Sequence, residues 1–361
     1  MLNKKVAVIG TVGIPAKYGG FETLTENLTL HLHEKIDFTV FCSSRNISLK
    51  QKSYNQAALF YLPLSANGIQ SIPYDIFSLF WAATKCSTIL ILGVSGCISL
   101  PIFRLLYPRK KLVINIDGLE HKREKWILPI KKFLKYSEKL AVKYADEIIA
   151  DNASIYNYLL NEYKCNSNLI AYGGDNSTKT SLLKSTKKQF NLPDKYAFKV
   201  CRIEPENNIH LVLEAFFTLN TALVIIGNWN NSKYGRALKA KYHSCPNIIL
   251  LDPIYDPLIL NQIRSNCFIY IHGHSAGGTN PSLVEAMFIG LPVVAYDISY
   301  NRETTYNKSL YFKTANELSA IMNNINEQEL LAVSNKLKDI ANNNYKWEKI
   351  ANEYYQILMQ N

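Results

Sequence analysis

The chain has 361 residues, 48% of them apolar and 19% charged, which suits two domains with buried cores and excludes a disordered chain. Its seven cysteines form no CxxC pair and no His/Cys cluster at zinc spacing, so a disulfide scaffold and a zinc ribbon are excluded and reduced cytosolic thiols are expected. The net charge is +11, unevenly distributed along the chain.

The N-terminus, MLNKKVAVIG, reads as a strand start, because its apolar run is too short for a signal peptide. The strand Lys5–Ile9 leads into TVGIPAKYGGFETLTENL. A dinucleotide fold would place G-x-G-x-x-G here, but Gly10 and Gly13 have no glycine between them. The acid expected after the second strand, Phe38–Cys42, is also missing, since Ser43 and Ser44 stand there. Both points argue against an NAD-dependent enzyme. Gly19 and Gly20 directly precede a predicted helix, Phe21–His33, with Glu22 in its first turn. Paired glycines let the backbone approach a phosphate or sugar, and they equally serve a turn that needs positive φ.

Further strands are predicted at Thr88–Leu92, Leu112–Ile116 and Glu147–Ala150, with helices at Tyr74–Thr84 and Ile130–Tyr144. Thr88–Tyr107 is the one segment resembling a membrane span. Gly93, Gly96, Pro101 and Arg104 make it read instead as a buried parallel strand and its loop. From Arg109 to Lys143 eleven Lys/Arg oppose four acids (Asp117, Glu120, Glu124, Glu138), a net of +7, interleaved with Trp126, Ile127, Leu128, Phe133, Leu134 and Tyr136. That composition suits a helix lying on an anionic membrane, with Lys125, Trp126, Lys131, Lys132 and Lys135 in contact. Nucleic acid is a competing partner without a recognised motif, and a solvated helix face is the third reading.

A weak segment, Gly173–Lys195, separates this half from a second strand–helix series. Strands are predicted at Tyr196–Val200, Ala222–Ile226, Ile248–Leu251, Phe268–Ile271 and Pro292–Ala295. Helices fit at Asn208–Phe217, Lys233–His243, Pro257–Ser265 and Ser282–Ile289, and beyond Glu327 the chain is helical. The alternation indicates two Rossmann-like domains with parallel sheets. Arg202 falls just past the first strand of this half, in CRIEPENN, where open α/β sheets place ligand contacts and a guanidinium grips a diphosphate bidentately. An ion pair with Glu204 or Glu206 is the structural alternative. The segment GHSAGGTNPSLVEAMFIG then combines a strand end, the glycines Gly277 and Gly278, and an Asn280–Pro281 helix start. Such a turn aims free backbone N–H groups at an anion, and Glu285 follows one helical turn on, placed to accept from a ribose.

In this order and spacing, YGGFETLTENL, RIEPENN and GGTNPSLVEAMFIGLPVVAYD resemble the retaining nucleotide-sugar glycosyltransferases of family four, with the GT-B fold. GIPAKYGGFET and DGLEHKREKW look like its bacterial rhamnosyltransferase-like subgroup, and AYGGD at Ala171–Asp175 resembles the family's interdomain turn. The resemblance implies an α/β protein of two Rossmann-like domains whose parallel sheets face across a cleft. It implies an N-terminal domain over 1–175, a donor domain over 176–340, and a C-terminal helix over 341–361 returning to the N-domain. It places Gly19, Gly20 and Arg202 at the donor diphosphate, Glu285 at the ribose, and the N–H groups of Gly278, Thr279 and Asn280 at sugar or phosphate. Any of Asp117, Glu120 and His121 stands where the family puts a residue against the donor sugar, as catalytic candidates.

Two positions depart from the family pattern. Asn207 replaces its usual diphosphate lysine, and Gly277 its first glutamate, which leaves the donor open and keeps a non-catalytic binding subunit as an alternative. The activity implied is transfer of a sugar, L-rhamnose from dTDP-rhamnose for preference, to a lipid-linked oligosaccharide in surface polysaccharide or O-antigen synthesis. A UDP-hexose or UDP-N-acetylhexosamine transferase is the alternative. No metal or other cofactor is expected, closure of the two domains would exclude water, and the enzyme would sit peripherally at the inner face of the plasma membrane.

Overall fold

The computed structural model describes residues 3–17, 19–47, 49–123 and 126–360; Lys125, one of the expected membrane contacts, lies outside them. The chain forms two compact units, Met1–Tyr172 with Trp347–Asn361, and Gly173–Lys346.

Unit 1 is built on β1 (Lys4–Ile9), β2 (Ile36–Ser43), β3 (Ser53–Tyr54), β4 (Ala57–Leu62), β5 (Thr88–Leu92), β6 (Lys111–Ile116), β7 (Glu147–Ala150) and β8 (Asn168–Leu169). They lie in the order β3-β4-β2-β1-β5-β6-β7-β8, parallel throughout except for the β3–β4 hairpin. Val6, Val8, Leu90 and Val113 are fully buried, as expected of strands covered on both faces. The short hairpin escapes sequence reading because it depends on Asn55 and Gln56 both taking positive φ, a turn more often made with glycine.

The last helix, Trp347–Met359, packs on Gly20–Leu32 and buries Trp347, Ile350, Tyr354 and Leu358 in the same core. Its end is tied down by Lys111, whose Nζ donates to the carbonyls of Ile357 and Gln360 at 2.7 and 2.8 Å. These contacts supply the partner for the apolar stripe of Trp347, Ile350, Tyr354 and Leu358.

Unit 2 is built on β9 (Tyr196–Val200), β10 (Ala222–Ile226), β11 (Ile248–Leu251), β12 (Ile269–His272), β13 (Val293–Tyr296) and β14 (Leu310–Phe312). The order is β11-β10-β9-β12-β13-β14, all parallel. In each unit the chain reverses its direction of travel across the sheet once, between β1 and β5 in unit 1 and between β9 and β12 in unit 2. Open α/β sheets bind ligands beyond the carboxyl ends of the strands at such switch points. The apolar segment Thr88–Tyr107 is β5, a 3-10 turn at Cys97–Ser99 and the helix Leu100–Leu106. Among the described residues no helix is long and apolar enough to cross a membrane.

Candidate functional site

At the unit 2 switch point, two turns are bolted together. One follows β9 and carries Arg202 and the 3-10 turn Pro205–Asn207; the other follows β12 and runs from Gly273 to Asn280. The backbone N–H and hydroxyl of Ser275 both donate to the Glu206 carbonyl, at 2.8 and 2.9 Å. Asn208 Nδ2 donates to the Gly273 carbonyl at 2.9 Å. The approach is so close that a Cβ on Gly273 would lie 2.3 Å from the Asn207 carbonyl oxygen, so glycine is required there. Gly277 adopts φ 117°, which sends the chain around to the helix Pro281–Ile289. Asn280 caps that helix, accepting from the Ser282 N–H at 3.1 Å and its hydroxyl at 2.7 Å. Pro281 occupies the first turn, as the sequence predicts.

Arg202 is 40% exposed, and its Nε stands 3.8 Å from Glu204 Oε2, too far for a hydrogen bond. Asn207 is engaged within its own turn. Its Nδ2 donates to the Arg202 carbonyl at 2.8 Å, its Oδ1 lies 2.8 Å from His274 Nδ1, and the residue is 4% exposed. The amide is turned inward to shape the Arg202 turn. Thr279 is also buried, which leaves its main chain as the expected contact group. Lys199, on β9, brings a buried amine to this end of the sheet, where burial lowers its pKa.

Glu285 is braced from behind. Its Oε2 pairs closely with Arg264 Nη1, and its Oε1 accepts from Asn176 Nδ2 at 3.1 Å. Arg264 is itself buried, and its Nη2 donates to Ser177 Oγ and Asn261 Oδ1, both at 2.7 Å. Sequence reading missed Arg264, which lies in the last turn of a helix that also carries Asn261, Gln262 and Ser265 and so has no local pattern to single it out.

At the unit 1 switch point the loop after β1 is held by Glu22. This carboxylate, 8% exposed, accepts from the Val12 N–H at 2.7 Å and the Thr11 hydroxyl at 3.0 Å. Gly19 has φ 127°, and a Cβ there would fall 1.9 Å from Glu22 Oε2. Gly19 therefore makes room for that carboxylate, and Gly20 begins the helix Gly20–Leu32. Beneath the loop after β5, Asp75 takes the Ser95 hydroxyl in a close hydrogen bond. Burial pushes its pKa up to about 7, against the opposing pull of Ser95 and the Gly96 N–H.

Asp117, Glu120 and His121 all lie in the segment leaving β6. Glu120 is spent locally: Arg123 Nε stands 2.8 Å from its Oε1, and Trp126 Nε1 donates to its Oε2 at 3.1 Å. His121 is 12% exposed, with Nδ1 3.1 Å from the buried Glu138. The membrane-facing set divides as well. Lys132 shares an exposed stripe of the helix Leu128–Tyr144 with Leu128, Tyr136, Lys139 and Lys143, and Lys131 is half-buried beside it. Trp126 is half-buried and held by Glu120. Lys135 turns toward two carboxylates instead, 2.9 Å from the exposed Glu162 and 3.5 Å from the buried Glu138. The adjoining helix Leu100–Leu106 exposes Ile102, Leu105 and Leu106.

Two parallel-sheet units, each with a glycine-bearing turn at its switch point, are the make-up of the GT-B fold, and comparison with known proteins agrees. Residues 183–347 match the family described as Glycosyl transferases group 1, and residues 3–175 match a domain of unknown function, DUF1972. The second of these units thus carries a glycosyltransferase group 1 domain. Sucrose-phosphate synthase from Thermosynechococcus elongatus superposes with a TM-score of 0.81 at 16% identity, over 98% of each chain. HepE from Anabaena, solved with UDP, gives 0.73 at 14% identity over 98% of this chain and 99% of that one. MnaA from S. aureus, also solved with UDP, gives 0.64 at 15% identity over 99% and 98%. Identities this low establish the fold alone. No protein of curated function matches the sequence significantly.

Proposed function

We propose that the protein is a glycosyltransferase using a nucleoside diphosphate sugar, with the diphosphate held at the unit 2 switch point. The observation that carries this reading is the joining of the turn after β9 to the turn after β12, through Glu206 and Ser275 and through Asn208 and Gly273, which ties the segment bearing Arg202 to the loop that leads into the Asn280-capped helix. Departure of a nucleoside diphosphate leaves negative charge to be neutralised. Preorganised N–H groups and Arg202 supply that without reorganisation. Glu285 gives one lone pair on each oxygen to Arg264 and Asn176 and keeps one on each for ribose hydroxyls. Its position is then fixed before the nucleotide arrives.

Within that class the favoured reaction is transfer of L-rhamnose from dTDP-rhamnose, with retention, to a lipid-linked oligosaccharide of a surface polysaccharide or O-antigen. The subgroup resemblance of GIPAKYGGFET and DGLEHKREKW supports it. A UDP-hexose donor is the second reading, favoured by the UDP and UDP-glucose complexes of HepE. Calorimetry against dTDP, UDP and GDP separates the two, and turnover of dTDP-rhamnose with a lipid-linked acceptor separates either from a binding subunit.

The membrane contact would be the exposed stripe around Leu128 and Lys132, together with Ile102, Leu105 and Leu106. Apolar side chains beside lysines suit a surface of anionic lipid. Flotation with vesicles should weaken in Lys131→Gln/Lys132→Gln. Equal binding to neutral and anionic vesicles would remove this part of the proposal.

A further inference from the structure

Unit 2 is joined to unit 1 twice, where the chain enters it at Gly173 and where it leaves at Lys346. The two connecting segments are bonded to each other, the Gly174 N–H donating to the Tyr345 carbonyl at 2.9 Å. Both are also seated on the elements that hold Glu285. A Cβ on Gly174 would lie 2.8 Å from Val284 Cγ1 and 3.0 Å from the Glu285 nitrogen, so the entering segment runs directly against the helix Pro281–Ile289. Asn176 Nδ2 donates to Glu285 Oε1 at 3.1 Å, and Ser177 Oγ accepts from Arg264, the other partner of Glu285. Thr180 fastens the segment further, its N–H donating to Ser265 Oγ at 3.2 Å and its carbonyl accepting from Asn266 Nδ2 at 2.8 Å. On the leaving side, the helix Glu327–Asn344 packs on Pro281–Ile289, and Ser334 Oγ donates to the Gly290 carbonyl at 2.6 Å. The Tyr345 hydroxyl donates to the Thr304 carbonyl at 2.9 Å.

Holding the entering segment in place does not require Glu285. Gly174, Ser177 and Thr180 fix it through the helix backbone, Arg264, Ser265 and Asn266. The Asn176 bond differs in kind: it is made by an exposed side chain and ends on the carboxylate read as the ribose acid. Asn176 and Arg264 occupy one lone pair on each oxygen and so set the plane of the carboxylate. With the plane set, the two remaining lone pairs point in fixed directions. Released from Asn176, the group keeps Arg264 on one oxygen and can turn, so that its ligand must order it. A ligand using those lone pairs therefore binds the engaged state more tightly, and its binding must shift the segment toward that state.

We infer that Asn176 couples nucleoside binding to the two segments by which the chain enters and leaves unit 2. Ribose hydroxyls on Glu285 favour the engaged Asn176, which holds Gly174 against the helix and, through the Gly174–Tyr345 bond, steadies the leaving segment as well. The inference rests on the nucleotide-sugar reading of Glu285. Coupling of this kind is reciprocal, so freeing the segment weakens nucleotide binding by the same factor by which the nucleotide protects the segment. One hydrogen bond from a neutral amide to a partly buried carboxylate puts that factor at about fivefold.

Hydrogen–deuterium exchange of the full-length protein, with and without saturating UDP or dTDP, tests the coupling on peptides covering 173–181 and 341–346. In the wild type the nucleotide should slow exchange across 173–178 about fivefold, and that across 341–346 in the same direction. Asn176→Ala, a change at an exposed side chain that should leave the fold intact, should cut the slowing below about twofold and raise the nucleotide Kd about fivefold. Unchanged exchange across 173–178 in a wild type that calorimetry shows to be saturated would overturn the inference, whether or not the variant folds. So would a variant that keeps the full slowing, which would mean that the nucleotide shields the segment directly, or one that keeps the wild-type Kd. Failure of the wild type to bind either nucleotide would instead overturn the nucleotide-sugar reading, and the coupling with it.

Discussion

The two units solve one local problem in opposite ways. Each has a strand, a glycine-bearing turn and a helix with a glutamate in its early turns at its switch point. In unit 1 the glutamate, Glu22, folds back on its own loop and bonds Thr11 and Val12. In unit 2 the glutamate, Glu285, is held from behind by Arg264 and Asn176. Glu22 therefore spends its carboxylate on shaping the turn, whereas Glu285 is anchored by groups outside its turn and keeps capacity for a ligand. The same residue type, in the helix after each switch-point turn, shapes its own loop in one unit and is anchored from outside its turn in the other.

Removing Arg264 tests this contrast most severely. Arg264→Met strips the partner from a carboxylate only 16% exposed and leaves the buried Ser177 and Asn261 contacts unmade, so it should cost about 3 kcal/mol of stability in chemical denaturation. A cost below about 1 kcal/mol would mean that the pair is not the brace described here. Arg202→Ala should leave stability nearly unchanged, since the side chain is 40% exposed. It should lower kcat/KM by roughly 100-fold or more, the effect of losing one charge-stabilising donor in the transition state. An active Arg202→Ala enzyme would place the phosphate elsewhere.

Asp75 sharpens the contrast through pH. Its folded pKa, pushed up to about 7 by burial, lies above the unfolded value, so the native state binds the extra proton. Stability from this group is complete below about pH 4 and is lost as pH rises through 7, by at most about 4 kcal/mol. Asp75→Asn should abolish that decline, and urea titrations from about pH 4 to 8 measure it. Gly19→Ala is the mildest change. A Cβ pressed on Glu22 at positive φ should cost about 1–3 kcal/mol, and Glu22→Gln should not restore it, because the backbone strain persists.

Much of the fold is legible in the sequence because parallel strands buried on both faces read as short apolar runs bounded by turn residues. The strands at Thr88–Leu92, Tyr196–Val200 and Ala222–Ile226 fall where their residues predict. The hairpin β3–β4, the edge strand β8 and the helix Ala153–Tyr163 do not announce themselves, since edge elements depend on neighbours that are distant in sequence. At the site, Arg202, Gly277, Asn280 and Glu285 stand out through turn chemistry. Arg264 and Asn176 act through long-range partners, and no local pattern reveals them. The bonds of Asn207 to His274 and the Arg202 carbonyl are likewise not announced by its place in the motif.

The central claim is that unit 2 holds a nucleoside diphosphate between Arg202 and the Gly277–Asn280 turn. Calorimetric titration of the full-length protein and of Arg202→Ala with dTDP and UDP tests it most directly. The account predicts saturable binding of at least one of these by the wild type and weakening of about tenfold or more in the variant. Equal affinity of the two proteins, or no binding of either nucleotide by the wild type, would contradict it.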